Sequence, residues 1–212
     1  WTAGGIRPSS TLPAGSGAIT LRDGNGGYAG TRDSYIDGYS GKHNSNYGSR
    51  AEIRDRPNLF SGLVRFAVFS SEGGPIPVGA EIQRATLSLY KFTQYDQKLG
   101  LYRVQRDWQE NEVTWNQARV GVPWSQPGAL GVGSDIMAIP DATAEVGWSP
   151  DWVSFDVTTA VQEMAQGAAN YGWKIDGISG NRNTKRFHSR ESTADSALRP
   201  TLVIEYSSGP NP

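Results

Sequence analysis

At 212 residues the chain can close one sizeable core, and a single domain is the first expectation. Its 20 Lys and Arg nearly balance its 21 Asp and Glu, which argues against a general nucleic-acid or membrane-surface binder and leaves charge to local patches. The absence of cysteine excludes disulfides, thiolate metal sites and a Cys nucleophile, and no window approaches the roughly 18 apolar residues of a membrane span. The 26 Gly and 12 Pro point to many turns, as in all-β proteins. Seven Trp and nine Tyr suit aromatic-rich strands and equally suit sugar binding, where a flat ring meets the C–H face of a pyranose.

Residues 1–17 hold Gly, Pro, Ser and Thr with little periodicity and read as an irregular leader. Trp1 is preceded by neither a methionine nor a basic-then-apolar leader, so a module cut from a longer protein is expected. Ala18 to Arg22 alternates and opens the sheet, and Asp23-Gly24-Asn25-Gly26-Gly27 turns the chain. Arg32 to Asp37 is a second strand and runs into a polar loop, 38–48, without a large aliphatic residue. Four stronger strands follow. Leu63–Phe69 sets Val64, Phe66 and Val68 on one face, and Ile82–Phe92 sets Ala85, Leu87 and Leu89 against Thr86, Ser88 and Tyr90. Gly100–Arg106 is the third, and Trp152–Val157, with Val153, Phe155 and Val157 together, is the fourth. The connection from Asn116 to Pro150 reads as mostly loop, with a short strand at Ile136–Ile139. Thr158 or Thr159 caps the one expected helix, Thr159–Gln166, with Val161 and Met164 facing inward and Gly167 ending it. Tyr171–Asp176, Lys185–Ser189 and Pro200–Tyr206 are closing strands, and residues 207–212 begin a linker. Roughly nine to eleven short strands, one short helix and no βαβ rhythm predict an all-β chain over 1–206, a single antiparallel β-sandwich of jelly-roll type.

The stretch Asp107 to Asn116 puts Trp108 and Trp115 around an acidic and amide-rich turn. Two indoles in a polar connection indicate a loop pinned to the sandwich, with Glu110, Asn111 and Asn116 as its hydrogen-bonding groups; the functional alternative is that one indole stacks on a ligand. Asp33, Asp37, Asn44 and Asn46, with Asp156 or Asp176 from other strands, are the hard oxygen donors that calcium favours. The ligands expected for a structural Ca2+ are Asp33, Asp37, Asn46 and Asp156, and Asx turns explain the same residues equally well. The one basic segment runs from Asn181 to Arg190. Arg186, His188 and Arg190 alternate onto one side, where they suit the carboxylates of an extended acidic polymer; a solvated edge, or pairing with Glu191 and Asp195, is the alternative. Arg65, Arg103, Lys174 and Tyr90 join that ligand set if their strands are neighbours. Catalysis has little support: there is no G-x-S-x-G, H-E-x-x-H or phosphate loop, and His43 and His188 lack metal-ligand spacing.

Several blocks together resemble the DNRLRE-type, or disaggregatase-related, domains, a group that includes carbohydrate-binding module family 96. In order they are Asp33-Ser34-Tyr35-Ile36, Asn46-Tyr47-Gly48-Ser49, Leu63 to Phe66 and Ile82 to Tyr90. The series continues with Trp108 to Asn116, Val153 to Thr158, Asn170-Tyr171-Gly172, Phe187 to Glu191 and Leu198 to Tyr206, and covers about 33–206. Gln117-Ala118-Arg119 departs from the usual N-R-P, and 1–30 and 117–150 are elaborated. The resemblance implies a non-catalytic jelly roll attached to a secreted or cell-surface enzyme, with polysaccharide as partner, alginate among the ligands and calcium as a compatible ion. The expectation is therefore a binding module for an anionic polysaccharide, covalently linked to a catalytic domain in its parent. A structural or adhesive module without glycan binding, and a polysaccharide lyase or hydrolase, are the alternatives.

Overall fold

A computed structural model describes residues 16–180 and 182–207. Most of the leader expected over 1–17, the linker from 208 onward, and Asn181 of the basic segment lie outside the described residues.

Among the described residues, thirteen strands and one α-helix follow in order. They are β1 (Ser16–Leu21), β2 (Thr31–Asp37), β3 (Glu52–Asp55), β4 (Phe60–Phe66), β5 (Glu81–Lys91), β6 (Gln97–Arg103), β7 (Gln117–Arg119) and β8 (Val122–Pro123). Then come β9 (Ala142–Val146), β10 (Asp151–Asp156), α1 (Thr158–Ala165), β11 (Trp173–Gly180), β12 (Lys185–His188) and β13 (Thr201–Ser207). One sheet runs β1-β13-β5-β12-β3 with β10 also on β5, a second runs β2-β4-β11-β6-β9, and β7-β8 is a small hairpin; every ladder is antiparallel. Ser88 pairs with Thr201 of β13 and with Ser154 of β10, so those strands flank β5 on opposite edges. Lys91 pairs with both Asp151 and Phe187, which puts β12 beyond β13 on the same edge.

Alternation builds the core. Leu87 and Leu89 of β5, Val153 and Phe155 of β10, and Leu202 and Ile204 of β13 point one way; Val64, Phe66, Leu99, Leu101, Trp173 and Ile175 meet them from the second sheet. These residues form one cluster across both layers, which makes the fold the expected antiparallel sandwich. A second cluster, with Ile36, Leu63, Val104, Trp108, Val113 and Trp124, fills the other side of the second sheet. The connection after β6 thus roofs that sheet. β2 and β4 are buried on both faces, and their sequences lose the clean alternation of β5.

The connection expected as loop contains β7, β8 and β9, and Ile136 makes isolated bridges to Val104 and Val132 in place of the strand expected at Ile136–Ile139. β3 gives no signal in the sequence because Glu-Ile-Arg-Asp carries a single apolar side chain, Ile53. The helix begins at Thr158 and its cap is corrected. The N-cap Val157 supplies no side-chain bond, and Asp156 Oδ1 accepts from the Thr158 N–H (3.0 Å) and hydroxyl (2.6 Å). Val161 and Met164 are buried, and Gly167, at φ +105°, follows the C-cap Gln166.

Candidate ligand-binding face

The seven side chains expected to hold a ligand do not form one surface. Arg103 is 8% exposed and held by Asp141 (2.7 and 3.0 Å) and by Glu163; burial opposes its charge, but the Asp141 hydrogen bonds are the largest influence and raise its pKa. Lys174 is fully buried with its ammonium 2.7 Å from Asp176. Arg190 turns inward beyond the end of β12 and bonds Glu110, Glu191 and Asp23. Arg65 binds Asp107 at 3.0 Å and lies over the Tyr171 ring. Arg103, Lys174 and Arg190 are therefore corrected from ligand groups to internal counter-ions. An internal carboxylate already in place outcompetes an external one, most of all the buried Glu110 at Arg190. Tyr90, His188 and Arg186 remain together.

The expected calcium ligands also separate. Asp37 accepts from the Tyr39 N–H and the Tyr47 hydroxyl, and Asn46 donates to the carbonyls of Glu110 and Val113. Asp156 caps the helix. Among the described residues, the acids that converge are Asp33, Glu110 and Glu191, each offering an oxygen within 4.8 Å of the others. Arg190 already fills their centre, with Nε at 2.7 Å and Nη2 at 2.8 Å from the two Glu110 oxygens, while its N–H donates to Asp33 Oδ2 at 2.7 Å. The six to eight free oxygens of a calcium shell are not present there, so the residues do not fit that ion. Burial, with Glu191 next, pushes the Asp33 carboxyl well above the usual carboxylate range.

The Asp107–Asn116 stretch anchors the roof. Trp108 is buried, and its indole donates to the Tyr171 carbonyl at 2.8 Å. Glu110 accepts the Asp33 N–H at 2.8 Å, and Asn116 donates to Asn44 at 2.8 Å. A Cβ on Gly48 would overlap the Glu110 carbonyl, so the Asn46-Tyr47-Gly48 segment and the tryptophan block clasp backbone to backbone. Trp115 is half-buried and stacks on His43 at 6.0 Å.

The roof leaves one sheet face open. On the outer side of the first sheet, Trp152 pairs with Tyr90 across β10 and β5, and their rings meet edge to face at 5.4 Å. Tyr90 stacks on His188 of β12 at 5.9 Å, and His188 contacts Phe92 at 4.8 Å. Trp152 is 39% exposed. The next cross-strand row is polar, with the Ser88 and Ser154 hydroxyls 2.9 Å apart and Thr201 opposite Ser88. Arg186 lies two residues before His188 on the same side of β12, its side chain 43% exposed and 3.4 Å from Glu52. Burial lowers the His188 pKa, and its Nδ1 lies 2.8 Å from the Ser192 hydroxyl. A row of rings beside a row of hydroxyls can stack on the apolar face of a sugar and hydrogen-bond its rim. Sequence reasoning reaches Tyr90 and His188 as ligand groups but takes Trp152 only as a strand residue. The signal for Trp152 is its outward position, opposite the Val153–Phe155 face.

An open, ring-bearing sheet on an antiparallel sandwich has the form of a binding module. Residues 135–206, which carry Trp152, Arg186 and His188, match the model of carbohydrate-binding module family 96. That match supports the family resemblance seen in the sequence blocks and is a match to a binding module. The chain is also 30% identical over 130 residues to the tRNA3(Ser)-specific nuclease WapA of Bacillus spizizenii, an alignment over 59% of this chain and 5% of that relative. The described residues include no helix long and apolar enough to cross a membrane.

Proposed function

We propose that this chain is a non-catalytic carbohydrate-binding module of a secreted or surface polysaccharide-active protein, and that a polysaccharide lies across the outer face of the first sheet. The supporting observation is the cross-strand ring row Trp152–Tyr90–His188 beside the Ser88–Ser154 hydroxyl pair. Stacking on the rings supplies affinity, and the hydroxyls select orientation. Arg186, at the rim of the row, is placed for a carboxylate, which favours uronic-acid polymers such as alginate. Of the cations expected to hold a ligand, Arg186 is the one that borders this face, because Arg103 and Lys174 lie in the second sheet and Arg190 turns inward.

Affinity electrophoresis against alginate, pectin, chitin and neutral glucans tests the reading. Retardation by a polymer, reduced about tenfold or more in affinity by Trp152→Ala, is expected, a loss of about 1.4 kcal/mol. Retardation by uronic-acid polymers that weakens with salt supports the acidic preference. No retardation by any polymer favours a spacer or adhesive module, and product release from a polymer favours an enzyme.

A further inference from the structure

Lys91 closes β5 and is fully buried. Its ammonium donates to the carbonyls of Tyr95 (2.9 Å), Gly147 and Trp148 (3.2 Å). An ammonium has three protons, and here each meets a main-chain oxygen. The carbonyls come from two connections, β5–β6 and β9–β10, so one cation ties both together much as a bound metal ion does. Burial lowers the Lys91 pKa, so the charge is kept inside against a desolvation penalty.

The two carbonyl-bearing connections carry the Tyr95 and Trp148 rings, which meet edge to face at 5.9 Å and 77°. Trp148 is 58% exposed. Its side chain is thus held outside the core while its backbone is fixed from inside. Trp148 stands three residues before β10, whose first ladder pairs are Asp151 with Lys91 and Trp152 with Tyr90. The pair therefore sits at the end of the sheet where the ring row begins. Fixed aromatic side chains lose little entropy on binding, which makes a pre-set pair useful to a ligand and of small use to a core.

We infer that Trp148 and Tyr95 form a second sugar subsite, continuous with the ring row, and that Lys91 is its positioning residue. The inference rests on the sheet-face reading and gives that face a length: the module recognises the interior of a chain several sugar units long.

Calorimetry with dimers, tetramers and hexamers derived from alginate, and in parallel with cello-oligosaccharides, tests it. Trp148 is exposed, so Trp148→Ala leaves the fold intact, and Tyr95→Ala is a second variant. Wild-type affinity is expected to rise from dimer to hexamer. Trp148→Ala removes about tenfold from the hexamer and leaves the dimer unchanged, whereas Trp152→Ala weakens every length. Equal binding of wild type and Trp148→Ala at every length overturns the subsite and leaves the sheet face standing. Loss at every length in Trp148→Ala, with Trp152→Ala unaffected, overturns the sheet-face reading and keeps Trp148 as a sugar contact. No binding by the wild type to either series overturns both.

Discussion

Arg190 and Glu110 meet in a two-point clasp, Nε to Oε1 at 2.7 Å and Nη2 to Oε2 at 2.8 Å, across 80 residues of sequence. Glu110 also takes the Asp33 N–H, and Asp33 takes the Arg190 N–H, so β2, the roof and the segment after β12 share one knot. Burial works against the Arg190 cation, and Glu110, Glu191 and Asp23 together more than offset it, raising the guanidinium pKa. Removing one partner strands a buried charge. Arg190→Ala is expected to destabilise the fold by about 3 kcal/mol in urea titrations. A double-mutant cycle with Glu110→Gln should show coupling of at least about 1 kcal/mol, and additive single effects would show that the clasp contributes little.

The same knot governs the response to metal. With Arg190 in the place an ion would take, stripping the protein with EDTA should leave Tm unchanged, as should adding back millimolar calcium. A rise in Tm that saturates with calcium would put an ion where the guanidinium reading does not.

Arg103 and Arg186 should separate stability from binding. Arg103 is buried and paired with Asp141 and Glu163, so Arg103→Met lowers Tm and leaves the affinity of the folded protein for alginate oligomers unchanged. Arg186 is at the surface, and Arg186→Ala does the reverse: Tm holds, and the salt-dependent component of uronate binding falls. Unchanged retardation of Arg186→Ala at low salt would remove the carboxylate contact.

His188 makes the fold sensitive to mild acid. Burial, opposed by the charge of Asp195, holds its pKa below the ordinary 6.5. The unfolded chain binds a proton near pH 6.5 that the folded ring resists. The stabilising contribution is therefore complete above that pH and is lost as pH falls through the lowered folded value. His188→Asn removes this share alone: the Tm of the wild type relative to that of the variant should fall from about pH 7 to 5, whatever opposite slope the raised Asp33 and Asp55 carboxyls add to both. An equal slope in the variant would assign it to other groups.

The sequence reveals those regions of the fold whose alternation has one wet side. β5 and β10 each set apolar residues against Thr, Ser, Tyr or Trp, and their faces are readable residue by residue. β2 is covered on both sides, and its buried Asp33, Ser34 and Asp37 are polar, so periodicity gives no hint of which way they point, whereas β4 still shows Val64 and Phe66 on the core side. β9, Ala-Thr-Ala-Glu-Val, carries too little apolar bulk to stand out in a glycine-rich connection. The ligand set is half legible for a similar reason. Alternation gives the side of a strand, and it correctly puts Tyr90 and His188 outside. It says nothing of which sheet is roofed, or of which acid 80 positions away waits for Arg190.

Ser16 and Ser207 are register partners at the open end of the β1–β13 ladder. The first described strand therefore begins beside the point where the last one ends, on one edge of the sheet. Tension transmitted through the two points loads the ladder in peeling geometry, in which hydrogen-bonded pairs separate in succession instead of sharing the force. Force applied at that corner would open the β1–β13 pairs first and reach β5, which carries Tyr90, only through β13.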